Sequence, residues 1–251
     1  MTSILLAPAI NTFAADAPPA PPPPEGVWTG KGQFGFLDSK GNSDAESLNA
    51  NLDVARIDGP WKNELTLLGL YGQSAGIVAA ERWEARAQTN RDISGDLFAF
   101  GGLRYEHDLF DGFEYQASIA AGLGYKILNT TDTKLTAQVG VGYRRLRPED
   151  ITKFPDGGVS GRTPLEATGN AIATLQVDYS QALTDTTTVS NKFYMETGPG
   201  DTLIHDNIAL TVKMSTKLAL SAGWGINDNT NPPGTLKKVD TITTLNLVYS
   251  F

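Results

Sequence analysis

The sequence predicts an all-β protein: a transmembrane, antiparallel, up-and-down β-barrel of twelve strands, of the outer-membrane type. Three observations predict it. Apolar and polar residues alternate with a period of two from Val27 to the C-terminus, which is the period of a half-buried strand and not of a helix. The connections alternate between short and long, as barrel turns on the two sides of an outer membrane do. Aromatic residues of the apolar face gather at both ends of the strands, where interfacial girdles sit.

Composition narrows the function classes before any motif is read. The 251 residues carry 20 Lys and Arg against 28 Asp and Glu, a net charge of −8 with a pI near 4.8. No basic patch offers itself to nucleic acid. With no cysteine and two histidines, disulfides, thiolate metal sites and cysteine nucleophiles are excluded, and most zinc or iron chemistry lacks ligands. A mean hydropathy of −0.21 and no long apolar run exclude transmembrane helices, and 26 glycines favour a β protein.

Residues 1–15 read as a secretory leader: the apolar stretch Ile4 to Ile10 precedes Thr12-Phe13-Ala14, a small-x-small cleavage form. No Lys or Arg precedes that stretch, so the leader reads as truncated at its start. Residues 16–25 are a Pro-rich linker with few backbone donors, a polyproline II spacer. The barrel is expected over 26–251.

Strands are expected at 27–37, 45–57, 61–72, 81–91, 97–106, 114–128, 134–145, 168–181, 187–197, 204–214, 218–227 and 239–251. The clearest runs from Tyr115 to Ile127: its odd positions are apolar or aromatic, its even ones small, polar or charged. With the N-terminus in the periplasm, the connections at 58–60, 92–96, 129–133, 182–186 and 215–217 fall on that side. The longer ones at 73–80, 107–113, 146–167, 198–203 and 228–238 fall outside. The stretch Pro148 to Thr163, with its Gly-Gly pair and prolines, reads as a mobile loop. Closure satisfies every backbone amide in hydrocarbon, and an even strand number returns both termini to one side.

All four Trp and seven of the eight Tyr take the apolar parity. One girdle holds Tyr71, Trp83, Tyr105, Tyr115, Tyr143 and Trp224; the other holds Trp28, Trp61, Tyr125, Tyr179, Tyr249 and the terminal Phe251. A terminal aromatic is a common ending among outer-membrane proteins, and Phe251 reads as the assembly signal. The partners expected are therefore outer-membrane lipid, lipopolysaccharide and the barrel assembly machinery.

The opposite parity assigns nine cations to the lumen: Lys31, Lys62, Arg82, Arg86, Arg104, Lys126, Arg144, Lys192 and Lys213. Eight anions join them: Asp53, Glu64, Glu84, Glu106, Glu114, Asp178, Glu196 and Asp240. A strongly selective pore lines itself with one sign, so this lumen is expected to be weakly selective or internally paired. Inward Gly122, Gly124, Gly140, Gly142, Gly223 and Gly225 remove bulk.

A set of short motifs runs in order along the chain: Lys40-Gly41-Asn42-Ser43, Leu70-Tyr71-Gly72, Glu81-Arg82, Tyr105-Glu106-His107-Asp108 and Gly122-Leu123-Gly124-Tyr125, then Gly142-Tyr143-Arg144, Asn231-Pro232-Pro233-Gly234 and Leu247-Val248-Tyr249-Ser250-Phe251. In these motifs the chain resembles the YdiY-like, salt-induced outer-membrane proteins, a domain of unknown function. The resemblance implies envelope residence and a tie to salt or osmotic stress, and it supplies no activity.

The function expected is a narrow passive pore for small polar or ionic solutes. The same paired charges would equally make a salt-bridged plug in a closed barrel that serves envelope integrity or adhesion. A third class, an outer-membrane lipid hydrolase, needs a base, a nucleophile and an orienter to converge. His107 has outward parity with no nucleophile beside it, and His205 has inward parity, so no enzyme is expected. No cofactor or metal is expected either: Asp108, Asp111 and Glu114, or Asp201 and Asp206, match no calcium-loop spacing and read as solvated loop charge.

Overall fold

A computed structural model describes residues 26–39, 45–108, 112–154, 159–232 and 237–251. The expected leader and linker, and the motif residues Lys40 to Ser43 with Pro233 and Gly234, lie outside the described residues. Among the described residues thirteen strands follow one another: β1 Trp28–Ser39, β2 Ala45–Asp58, β3 Trp61–Ser74, β4 Ile77–Ser94, β5 Leu97–Asp108, β6 Phe113–Asn129 and β7 Thr133–Lys153. After them come β8 Val159–Pro164, β9 Thr168–Ala182, β10 Thr187–Gly198, β11 Asp201–Lys213, β12 Leu218–Asn229 and β13 Val239–Ser250. Each strand pairs with its sequence neighbour except that β7 pairs with β6 and β9, leaving β8 attached to β7 alone. Pairing of β1 with β13 closes the remaining twelve into an antiparallel barrel.

The extra strand corrects the expectation of a loop over Pro148 to Thr163. Here β7 runs on past the barrel wall and folds back as β8, with Glu149↔Pro164 to Lys153↔Val159 in register. Pro148 survives in a strand because the ladder bulges beside it between Phe113 and Tyr115, while its carbonyl accepts Leu165 N–H at 2.8 Å. Two other expected outer loops are also strand. The 73–80 connection shrinks to Ala75-Gly76, with φ of 51° and 77°, the left-handed pair a type I′ hairpin turn needs. The 198–203 connection shrinks to Pro199-Gly200.

The closing seam differs from the others. Between β1 and β2 the register runs from Trp28↔Arg56 to Ser39↔Ala45, whereas between β1 and β13 it covers only Lys31↔Ser250 to Phe34↔Leu247. Beyond that ladder, Gly30 and Phe251 exchange two backbone hydrogen bonds of 2.9 and 3.0 Å. A Cβ on Gly30 would lie 2.5 Å from the Phe251 ring and 3.0 Å from the Asp53 carbonyl oxygen, so any larger residue there would have to displace the ring.

Burial is inverted relative to a soluble protein. Val141 is 73% exposed and Leu245 70%, while Arg144 is 1% and Glu196 0% exposed. Only an apolar surround outside and a polar interior inside reconcile those numbers with the cost of burying charge and exposing hydrocarbon.

Candidate channel lumen

Alternation puts residues i, i+2 and i+4 of a strand on one face, so β4 offers Arg82, Glu84 and Arg86 to the interior and β5 offers Arg104, Glu106 and Asp108. Register sets Glu84 opposite Glu106 and Arg86 opposite Arg104, like charges that would repel as direct cross-strand pairs. Diagonal contacts resolve this. Arg82 reaches Glu84 at 2.8 Å, Glu106 at 2.6 Å and Asp108 at 3.9 Å. Arg104 pairs with Glu106 and stands 3.5 Å from Glu84, which also takes Arg86.

The cluster reaches across the barrel. Arg104 contacts His205 of β11 at 3.2 Å, and His205 turns its other ring nitrogen to Asn227 at 2.8 Å. Arg86 lies over the Tyr194 ring of β10 at 4.9 Å. Glu196 accepts from Tyr194 at 2.5 Å and from Ser118 of β6 at 2.7 Å. Arg144 of β7 joins Asp201 and stands 3.7 Å from Glu196. Apart from His205 with Asn227, on adjacent strands, and Tyr194 with Glu196, on one strand, these contacts join strands that are not neighbours in the sheet, so the groups meet through the interior. The result is a belt of paired charge at one level, with Glu84 and Arg104 each 5% exposed.

Two cavities flank the belt. Toward the end of the barrel away from the termini lies one of about 270 Å³, bordered by Arg82, Glu106, His205, Asn227 and Asp240. On the other side a space of about 60 Å³ is bordered by Arg86, Phe100, Ser118, Gln138 and Tyr194. The inward glycines do not widen this second space. Cβ atoms on Gly122 and Gly140 would lie 2.9 and 2.8 Å from Phe100, and Gly124 lies under the Phe98 ring. The room those glycines free is filled by aromatic rings.

The other lumen candidates are scattered along the wall. Asp53, opposite Lys31 in register, accepts from Asn51 at 3.0 Å and Thr66 at 2.8 Å. At the termini end, Lys62 pairs with Glu64 at 2.7 Å and Lys126 with Asp92 at 2.9 Å, all partly exposed. Asp178 accepts from Gln176 at 2.6 Å beside Lys192, its register partner. Lys213 and Asp240 are exposed near opposite ends of their strands. Glu114 is a correction: the bulge between Phe113 and Tyr115 breaks the alternation. Phe113 is thereby buried, and Glu114 sits at the rim 2.9 Å from Arg147, with both side chains well exposed.

Counting charges by parity missed the neutral members of the belt: Tyr194, Ser118 and His205 carry no charge signal, though all have inward parity. Asp201 was hidden in an expected loop. The histidines do not converge, since His107 lies tilted beside Trp83 on the outer face, bonding the Glu114 carbonyl, while His205 is inside. Among the described residues no group of acidic or histidine side chains is arranged to hold a metal.

The expected girdle residues are mostly exposed on the outside. Tyr105 stacks between Trp83, at a centroid distance of 5.0 Å, and Tyr115, at 5.9 Å, on three adjacent strands. Tyr71, Tyr143 and Trp224 share that end. At the other, Arg56 lies over Trp28, Arg91 over Trp61 and Lys217 over Tyr249, while Tyr249 stacks near Phe251 and Tyr125 is half exposed. Tyr179 is turned to Gln181.

A closed barrel with an apolar outside and a charged inside calls for comparison with known proteins. The profile of DUF481, a protein of unknown function, matches residues 32–251. The chain belongs to the DUF481 family. A curated relative, the uncharacterized protein YdiY of Escherichia coli strain K12, is 23% identical over 224 residues, covering 86% of this chain and 80% of YdiY. Among solved structures, an outer membrane channel from Pseudomonas putida F1 superposes with a TM-score of 0.50 at 10% identity, covering 95% of this DUF481 chain and all of that one. The NanC porin superposes at 0.48 with 9% identity, over 90% and 99% of the two chains. The fold is that of outer-membrane β-barrels.

Proposed function

We propose that this DUF481 protein is an outer-membrane, porin-type barrel that passes small polar or ionic solutes along a narrow path, with the charged belt as its constriction. The observation that carries this reading is the two-sided chemistry of the wall. Apolar side chains and aromatic belts cover the outside, the face we assign to lipid and lipopolysaccharide, while inside a polar-rimmed cavity and a smaller space lie on either side of the belt. Because the belt pairs both signs, it sets size more than charge selectivity. A passive conduit of this kind serves a cell whose external salt changes.

Planar-bilayer recording tests it. Small conductance steps with weak ion selectivity are expected, and the double variant Arg104→Ala, Glu106→Ala should enlarge them. No conductance above background in either protein sinks the pore. One observation favours a second reading, a closed barrel serving envelope integrity: the belt residues are nearly inaccessible to water. Cells lacking the protein that take up solutes normally but have salt-sensitive envelopes would support that reading.

A further inference from the structure

The larger cavity keeps several groups without partners. Gln116, 2% exposed, has no hydrogen-bond partner for Oε1, and Asn229, 4% exposed, has none for Nδ2. Both border the cavity. A buried amide atom left unsatisfied costs about 1–3 kcal/mol, so their places in a polar space ask for something to complete them. The cavity wall also carries Lys238 and Asp240, whose side chains have no hydrogen bond or ion pair among the described residues. Pairing orders them: Lys238 stands beside Asn229, bound through its backbone carbonyl at 2.8 Å, and Asp240 stands opposite Asn227. Arg82 and Glu106 at the cavity floor already pair with each other at 2.6 Å.

An unsatisfied donor and a cation therefore share one part of the wall, while an unsatisfied acceptor and an anion remain to be met from the same space. We infer that the cavity is a binding site for a small zwitterion, whose carboxylate meets Lys238 and the Asn229 amide and whose ammonium group meets Asp240 and the Gln116 carbonyl. A solute carrying only one charge satisfies half of these groups. The inference rests on the conduit reading for its purpose, since the cavity is then the outer mouth where solute collects before the belt.

Titration of the full chain, folded in detergent micelles, with β-alanine tests the site, with propionate and ethylammonium as its two halves. β-Alanine should bind at least about tenfold more tightly than either half, the worth of one charge-assisted contact. Lys238→Met and Asp240→Asn should each weaken β-alanine about tenfold. Gln116→Leu should weaken it too while leaving thermal stability unchanged or higher, because no protein hydrogen bond is lost. Absence of β-alanine binding, equal binding of the three compounds, or indifference to all three variants overturns the site. Bilayer recordings on the same samples separate the two ideas: a conducting barrel that ignores β-alanine loses only the site, and one that binds it without current loses only the conduit.

Discussion

Glu196 shows at the scale of one residue how the interior is held. It is 0% exposed, accepts from Tyr194 and Ser118, and lies beside Arg144. Replacing a buried ion pair by well-packed apolar groups can be neutral, but removing one partner leaves the other charge buried, at a cost of about 3–5 kcal/mol. Glu196→Ala should destabilise the barrel by that amount, measured by denaturant unfolding in lipid vesicles, and a loss of less than about 1 kcal/mol would show the belt to be loosely hydrated. The wall's outer face obeys a different solvent. Leu123→Arg, if near the bilayer midplane, should cost about 2–4 kcal/mol, while Lys192→Gln, on the face that carries Tyr194 and Glu196, should cost well under that. Equal losses would contradict the assignment of faces. Ala75 holds a φ of 51° in the type I′ turn, so Ala75→Gly should stabilise by up to about 1 kcal/mol through relief of that conformation.

Strands were legible wherever the period of two was unbroken. Every barrel strand appears where alternation placed it, and the even-parity charges of β4, β5, β7 and β10 that form the belt were identifiable as one face of each strand. What alternation could not show was where a strand outlives the membrane. The β7–β8 segment is rich in prolines and glycines that read as loop, yet it carries a ladder from Glu149↔Pro164 to Lys153↔Val159, with Arg162 3.4 Å from Glu149. Nor could a strict period foresee the bulge that turned Glu114 to the rim, since one extra residue inverts every side chain beyond it. Which charges meet across the lumen depends on the closed cross-section, and sequence parity contains nothing of that. Phe98 and Phe100 filling the space above the glycines is a second case: each residue was visible, but the packing of ring over glycine needs register.

At the scale of the whole molecule, the same wall solves two solvation problems. Backbone amides are paired around a ring without free edges, and side chains sort by polarity to either side of it. The assembly role assigned to Phe251 belongs here. Deleting Phe251 should slow insertion into liposomes more than it lowers final stability, since it removes two backbone hydrogen bonds to Gly30 but leaves the β12–β13 ladder intact. Insertion followed by the heat-dependent shift in electrophoretic mobility checks this, and wild-type kinetics would count against the assignment.

The brevity of the β1–β13 register has a temporal meaning. The first and last strands of the barrel are the farthest apart in sequence, so their pairing closes the longest loop, and among the described residues they are joined by the fewest register pairs of any seam in the ring. That junction is where the cylinder last zips and where it would first come undone, so amide exchange in lipid should begin at Gly32 and Tyr249, whose N–H groups face each other's strand across it, before any other seam gives way.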